Sequence, residues 1–237
     1  MATINLLYQQ EYAITDKIKI VIPTVGDVLE NEDEYYMLVS TLTAMPYDMM
    51  VPLDDAGIDF TKINDYELFL LMFSGIQNMD TRLVFGDLDL RDFRIAANEA
   101  SNAIVLINSD GVVIDRVIQN QIAVTLRKIH HWEKNHRKPG NEEAKEYLLR
   151  RAREKMKRNQ KKRSFSQLES YIVALVNTEQ FKYDYLGAKA LTIYQFNESL
   201  YQIVKKIDYD NKMRGVYFGT VKASDLSQED LNWLTHK

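Results

Sequence analysis

The sequence predicts an α+β protein that is predominantly α-helical, with one small antiparallel β-sheet. Three observations carry that expectation. Glycine and proline are scarce, nine and four in 237 residues, too few for the turns of a many-stranded β protein. Apolar residues recur at three- and four-residue spacing through much of the chain, the period of an amphipathic helix. A single clear hairpin signal lies at 103–115, where an Asp-Gly pair separates two β-branched runs.

The alternating run at 17–22 (KIKIVI) reads as a strand closed by Pro23. Thr24 with Asp27, and Asn31 with Glu34, have the spacing that opens a helix. The second of these helices presents Tyr35, Tyr36, Leu38, Val39 and Leu42 as its apolar positions. Residues 45–60 hold Pro46, Pro52 and Gly57 and read as an irregular connection with a short helix. Asn64 and Glu67 form a capping box, with Ile63 and Leu68 placed as a hydrophobic staple. That helix is expected to run to Phe73 and stop near Gly75. Residues 82–85 read as a short strand. The hairpin is expected to pair with 17–22 or 82–85, since two strands alone are marginal. Residues 117–132 then read as a helix with Ile118, Ile122, Val124, Leu126 and Ile129 inward.

Pro139-Gly140 is the clearest boundary. It divides an acidic α+β part, 1–138, from a helical part, 139–237. The second part opens with a highly charged helix over 142–163, which carries ten Lys/Arg and is interrupted at 164–166. The next helix sets Leu168, Tyr171, Ile172, Leu175 and Val176 on one face, and 177–187 connects onward. Thr192 and Gln195 form a second capping box, stapled by Leu191 and Phe196. Ile193, Phe196, Leu200, Ile203 and Ile207 then form a stripe. The pattern weakens at 208–211, and Gly215 and Gly219 are expected to break it. A short terminal helix, opened by Ser227 and Asp230, would carry Leu231, Trp233 and Leu234. Trp233 is expected to dock on the body, since aromatic side chains mostly supply core area.

Composition excludes several chemistries. The chain has no cysteine, hence no disulfide, zinc-thiolate site or thiol nucleophile. Its first residues lack the basic region of a signal peptide, and no run approaches the roughly 20 apolar residues of a membrane span. Neither a phosphate-cradling glycine loop nor a G-x-S-x-G elbow is present. His130, His131, His136 and His236 include no pair at the four-residue spacing of a helical metal site; the first three read as an exposed helix terminus. Acidic residues cluster at 30–34 and at Asp54, Asp55 and Asp59. Helix N-termini and loops favour acids there, so a solvated surface is preferred over a metal centre. The expectation is a non-enzyme with no catalytic residue, no cofactor and no metal.

Charge is segregated. Residues 1–100 hold 18 Asp/Glu and 6 Lys/Arg, a net of −12, whereas 101–237 hold 16 and 24, a net of +8. Either the halves attract each other or they offer partner surfaces of opposite sign. The helix at 142–163 has the strongest functional pull. Its cations Arg150, Arg151, Arg153, Lys157, Arg158, Lys161, Lys162 and Arg163 spread around the helix, and Tyr147 is its only aromatic residue. A solvated helix, or one docked on an acidic protein surface, is preferred over a nucleic-acid contact. The protein's own first hundred residues are one such dock. The candidate partner-binding residues are Arg150, Arg151, Lys157, Arg158 and Lys162 on this helix, with Trp233 and Leu234 at the C-terminus.

Several phrases are distinctive as strings: IPTVGDVLENEDEYYMLVSTLTAMPYDMMVPLDDAGIDF, NDYELFLLMF, VVIDR, the PGN junction, TIYQFNESLYQIVKKIDYDNKMRGVYFGT and DLNWL. Over residues 20–234 the chain resembles a family encoded in phages and prophages of Gram-positive bacteria. It is similar in kind to tail-module accessory proteins, among them tail assembly chaperones and baseplate assembly factors. The resemblance implies a non-enzymatic protein of the host bacterial cytoplasm that acts in tail or baseplate assembly. Its partners would be tube, tape-measure or baseplate proteins, with homo-oligomerisation compatible and no membrane involved. A permanent place in the tail or baseplate of the virion is one alternative. A DNA-binding or packaging role for 142–163 is another. No catalytic motif comes with the family.

Overall fold

The computed structural model describes residues 5–98, 103–135, 137–159 and 166–234. Among them the protein is α+β and mostly helical, with ten α-helices and two small antiparallel sheets. The first sheet pairs β1 (Glu11–Ala13) with β2 (Lys19–Val21), Tyr12 opposite Ile20. The second has the order β3 (Arg94–Ala97), β4 (Ile104–Ile107), β5 (Val113–Ile114).

The hairpin forms as expected, but its sheet partner does not. Residues 17–22 pair with β1 instead, and Arg82–Phe85 is the short helix α5. Three apolar residues after Arg82 carry no period that separates strand from helical turn. Here Val84 and Phe85 bury side by side, and Gly86, at φ 59°, ends the turn. The third strand, β3, escaped notice because Arg-Ile-Ala-Ala has little β-branched content. In the hairpin loop only Gly111 has positive φ, 71°. The Asn108 side chain accepts the amides of Asp110 and Val112 and so braces the turn.

The helices mostly follow the capping signals. α1 (Val25–Glu30) starts at a complete Thr24–Asp27 box. α2 (Glu32–Thr43) starts at Asn31 without a side-chain cap, because that residue also closes α1 and its amide donates to the Val28 carbonyl. α3 (Met50–Asp55) is the short helix of the irregular connection. α4 (Asp65–Ile76) has the Asn64–Glu67 box and runs through Gly75 to Ile76. The Tyr66 hydroxyl lies 3.0 and 3.1 Å from the carbonyl oxygens of Ile104 and Ile114, tying α4 to the hairpin. α6 (Arg116–His130) is capped by Asp115 and ends at His131 in the left-handed conformation.

Beyond Pro139 come α7 (Glu142–Asn159), α8 (Gln167–Val176), the unanticipated α9 (Tyr185–Ala190) and α10 (Ile193–Tyr217). One main core draws on both sides of Pro139. It runs from Leu6, Ile18 and Ile20 through Leu38, Phe73, Leu106 and Ile129 to Leu168, Ile193 and Phe196. A smaller cluster joins Met50, Val51, Leu53, Phe60 and Leu68 to Leu149 of α7. α10 continues past 208–211 and Gly215, where the sequence predicted weakening and a break. The ion pairs Lys206–Asp210 and Lys212–Asp208, four residues apart, brace that stretch. The terminal helix expected over 227–234 is one turn, closed by mutual hydrogen bonds between Ser227 and Asp230.

Candidate functional site

Three surfaces carry chemistry that the core does not use. The first is α7. Its inner face is apolar and packs on α3: Leu149 is buried, and Leu148 and Ala152 lie against the same cluster. Two cations flank this seam. Arg153 reaches Asp54 at 2.6 Å and Asp55 at 2.7 Å, and Lys145 reaches Asp59 at 3.0 Å. The Asp59 carboxyl is held well below the usual carboxylate range, first by the Thr61 amide and hydroxyl and then by Lys145. The acids at 54–59 remain at the surface, as the sequence predicted, with Asp54 and Asp55 exposed, and they also serve as a dock for α7.

The remaining cations of α7 face outward. At 3.6 residues per turn, Arg150, Arg151, Lys157 and Arg158 fall within an arc of about 120° opposite the seam. Tyr147 lies in the middle of that arc, with the Arg150 and Arg151 guanidinium groups 5.6 and 5.7 Å from its ring centre. The sequence had these charges spread around the helix. Removing Lys145 and Arg153, which turn inward, leaves a stripe. Glu154 falls within the stripe, 3.6 Å from Arg158, and Glu143 lies on the same side in the first turn. Lys162, with Lys161 and Arg163, lies outside the described residues.

The second surface is an arm. α10 buries Ile193, Tyr194 and Phe196 and packs Leu200 and Ile203 on the main core. From Val204 onward it contributes nothing to that core. The chain reverses at Gly219, φ 70°, and runs back along the helix. Thr220 and Val221 donate their amides to the Gly215 carbonyl, and Lys212 binds Asp230. The Trp233 ring centre lies 5.5 Å from the Lys206 ammonium. Trp233 is thus half-buried against the arm and does not dock on the body as expected. Leu234 is 66% exposed. At the tip, Tyr217 and Phe218 are 89% and 81% exposed.

The third feature is a cavity of about 660 Å³ where α2, the end of α6, α8 and α10 meet. Glu32, Asp33, Tyr36 and Ser40 come from one face of α2, His130 from the end of α6 and Trp132 from just beyond it, and Leu168 and Tyr171 from α8. His130 is buried, with Nε2 3.0 Å from the Tyr35 hydroxyl. Burial pushes its pKa down to about 3, with a smaller push from His131, so the ring is neutral at physiological pH. This corrects the sequence reading of an exposed histidine terminus. The left-handed turn at His131 brings Trp132 back over the helix, its amide on the Arg127 carbonyl and its ring 5.0 Å from that of His130. Sequence reasoning missed this site. The available signal was the spacing of Glu32, Asp33, Tyr36 and Ser40, which share one face of a helix.

Among the described residues no group of three or more His, Cys, Asp or Glu is placed to hold a metal ion. No helix there is long and apolar enough to cross a membrane. The model of one protein family, the YomV second domain, matches residues 157–237. That family is of phage and prophage type. The match starts in the last turn of α7 and takes in α8, α9, α10 and the returning segment. No curated protein and no solved structure matches the chain.

Proposed function

We propose that this chain is a non-enzymatic phage protein of the host bacterial cytoplasm. It acts in tail or baseplate assembly by binding another tail-module protein, a tube, tape-measure or baseplate component, through its C-terminal arm. The observation that carries this reading is the tip of the arm: two aromatic residues, Tyr217 and Phe218, almost wholly exposed at the end of a helix that has left the core. Apolar area of this kind is stabilised when a partner covers it. The similarity to a phage-type family over 157–237, which contains the whole arm, supports the setting. An assembling role is favoured over a permanent one because Asp208, Arg214 and Lys222 intersperse the apolar residues of the arm, and permanent interfaces are more apolar.

The test is co-purification. Tagged protein from phage-producing cells should capture a tail protein and be missing from purified particles. The double substitution Tyr217→Ser, Phe218→Ser should abolish capture and leave the helical circular dichroism intact. Stoichiometric copies in mature particles would make the protein a structural component of the tail or baseplate instead. A second reading is favoured by the outward stripe of α7, which fits a polyanion such as the DNA backbone. It requires salt-sensitive duplex binding that disappears when Arg150, Arg151, Lys157 and Arg158 are reversed to Glu.

A further inference from the structure

The cavity at the junction of α2, α6, α8 and α10 has a chemistry of its own. Its walls are aromatic in part, with Ser40, Gln167, Asn197 and two leucines between the rings. The Tyr36 and Trp132 rings lie 6.5 Å apart and inclined at 34°, and Tyr171 of α8 contributes a further ring to the lining. Carboxylates stand at one end. Glu32 accepts the Leu168 amide at 3.1 Å through one oxygen, while Asp33 is exposed and has no ion pair among the described residues. Among the described residues the lining contains no Lys or Arg, and the histidine there, His130, is neutral. A space lined by aromatic rings and by carboxylates without a cationic neighbour among the described residues attracts a cation and repels anions. Metal binding does not suit it, because the carboxylates are two and no group of three or more His, Cys, Asp or Glu is placed to hold an ion among the described residues. An organic cation does. The volume exceeds one side chain and matches a side chain with the peptide that bears it.

We infer that this cavity is a receptor for a cationic side chain, arginine or lysine, presented by a partner protein. The charged group would lie against the rings of Tyr36, Trp132 and Tyr171 and pair with Asp33. A planar guanidinium fits best, since it stacks on rings and pairs with a carboxylate at the same time. The site is separate from the arm, so its test is independent of the assembly reading.

Trp132 is the reporter. The chain has two tryptophans, and Trp233→Phe leaves Trp132 alone. Titration with N-acetyl-arginine amide should change its emission saturably, with a Kd on the order of 1 mM for so small a probe. N-acetyl-citrulline amide, its neutral isostere, should produce no saturable change. Asp33→Asn and Tyr171→Ala should each weaken the arginine probe at least tenfold. Both positions are at the surface, so unchanged circular dichroism controls for folding. Absence of a saturable response to the arginine probe, or an equal response to citrulline, would overturn the inference. Residues 160–165 carry Lys161, Lys162 and Arg163 close in sequence to the cavity residue Leu168. If the probe binds only after these three are changed to Ser, the cation is supplied by the chain itself and the partner assignment is overturned.

Discussion

Leu149, rather than Arg153, should hold α7 on the body, and the two can be separated by mutation. Leu149 is 9% exposed. Its side chain sits among Met50, Leu53 and Phe60, at the edge of the smaller cluster. Truncating a buried Leu to Ala costs about 2–5 kcal/mol, and the low end applies where water can fill the gap. About 2 kcal/mol is therefore expected. Arg153 bridges two carboxylates at short distance, yet its side chain is 37% exposed and those of its partners 43% and 60%. Exposed pairs contribute at most about 1 kcal/mol and are screened by salt. The assay is native-state trypsin digestion, with cleavage after Lys155 and Lys157 read by mass spectrometry, because a docked helix is cut only when it opens. Leu149→Ala should speed cleavage roughly 30-fold, about 2 kcal/mol at 1.4 kcal/mol per decade. Arg153→Ala should speed it by about fivefold or less, and that increment should vanish at 1 M NaCl. If Arg153→Ala equals or exceeds Leu149→Ala, the seam is held by charge and the reasoning fails.

Three further outcomes are expected. Asn64→Ala and Thr192→Ala each remove a reciprocal capping box and should lower stability by about 1 kcal/mol in urea denaturation. His130 is depressed from 6.5 to about 3 in the fold by burial, so the unfolded chain takes up the proton first. Stability should accordingly fall as pH drops below about 6.5 and keep falling towards pH 3. The difference between pH 7 and pH 5, at most about 2 kcal/mol, should disappear in His130→Gln. At Gly215 an added Cβ would meet Val221 Cγ2 at 2.8 Å, whereas the helix itself gains from alanine by about 1 kcal/mol. Gly215→Ala should therefore preserve α10 yet dislodge the returning segment, seen as faster hydrogen exchange over 220–234 and a changed Trp233 emission.

The sequence disclosed what is local and not what depends on distant neighbours. The boxes at Thr24, Asn64 and Thr192 formed because side-chain and backbone groups three residues apart satisfy each other wherever the helix ends up. The hairpin was legible for the same reason. Residues 82–85 were misread because three apolar residues have no usable period, and tertiary packing of Val84 and Phe85 decided their conformation. Gly215 was misread as a breaker because its reason, the crossing of Val221, lies six residues on and round a reversal. The cavity was illegible altogether. Its rings and carboxylates come from positions 32–36, 132 and 171, and only the packing of α2, α6 and α8 brings them together.

The charge segregation of the sequence resolves into more than one device. Had the acidic first part and the basic helix existed only to clamp each other, the cations of α7 would point at the body. Lys145 and Arg153 do so, and they meet Asp54, Asp55 and Asp59. Arg150, Arg151, Lys157 and Arg158 point away, while Glu32 and Asp33 line a cavity with no Lys or Arg among its described residues. The molecule thus uses a few opposite charges to orient a helix whose docking is mainly apolar. It keeps others as two surfaces of opposite sign, on different elements. Such surfaces add little to folding, since exposed charges barely stabilise a fold, but they govern which partners approach and at what rate. Raising salt should therefore leave the fold almost untouched and weaken whatever binds at the stripe or the cavity. The arm, whose tip is aromatic, should bind its partner with little dependence on salt.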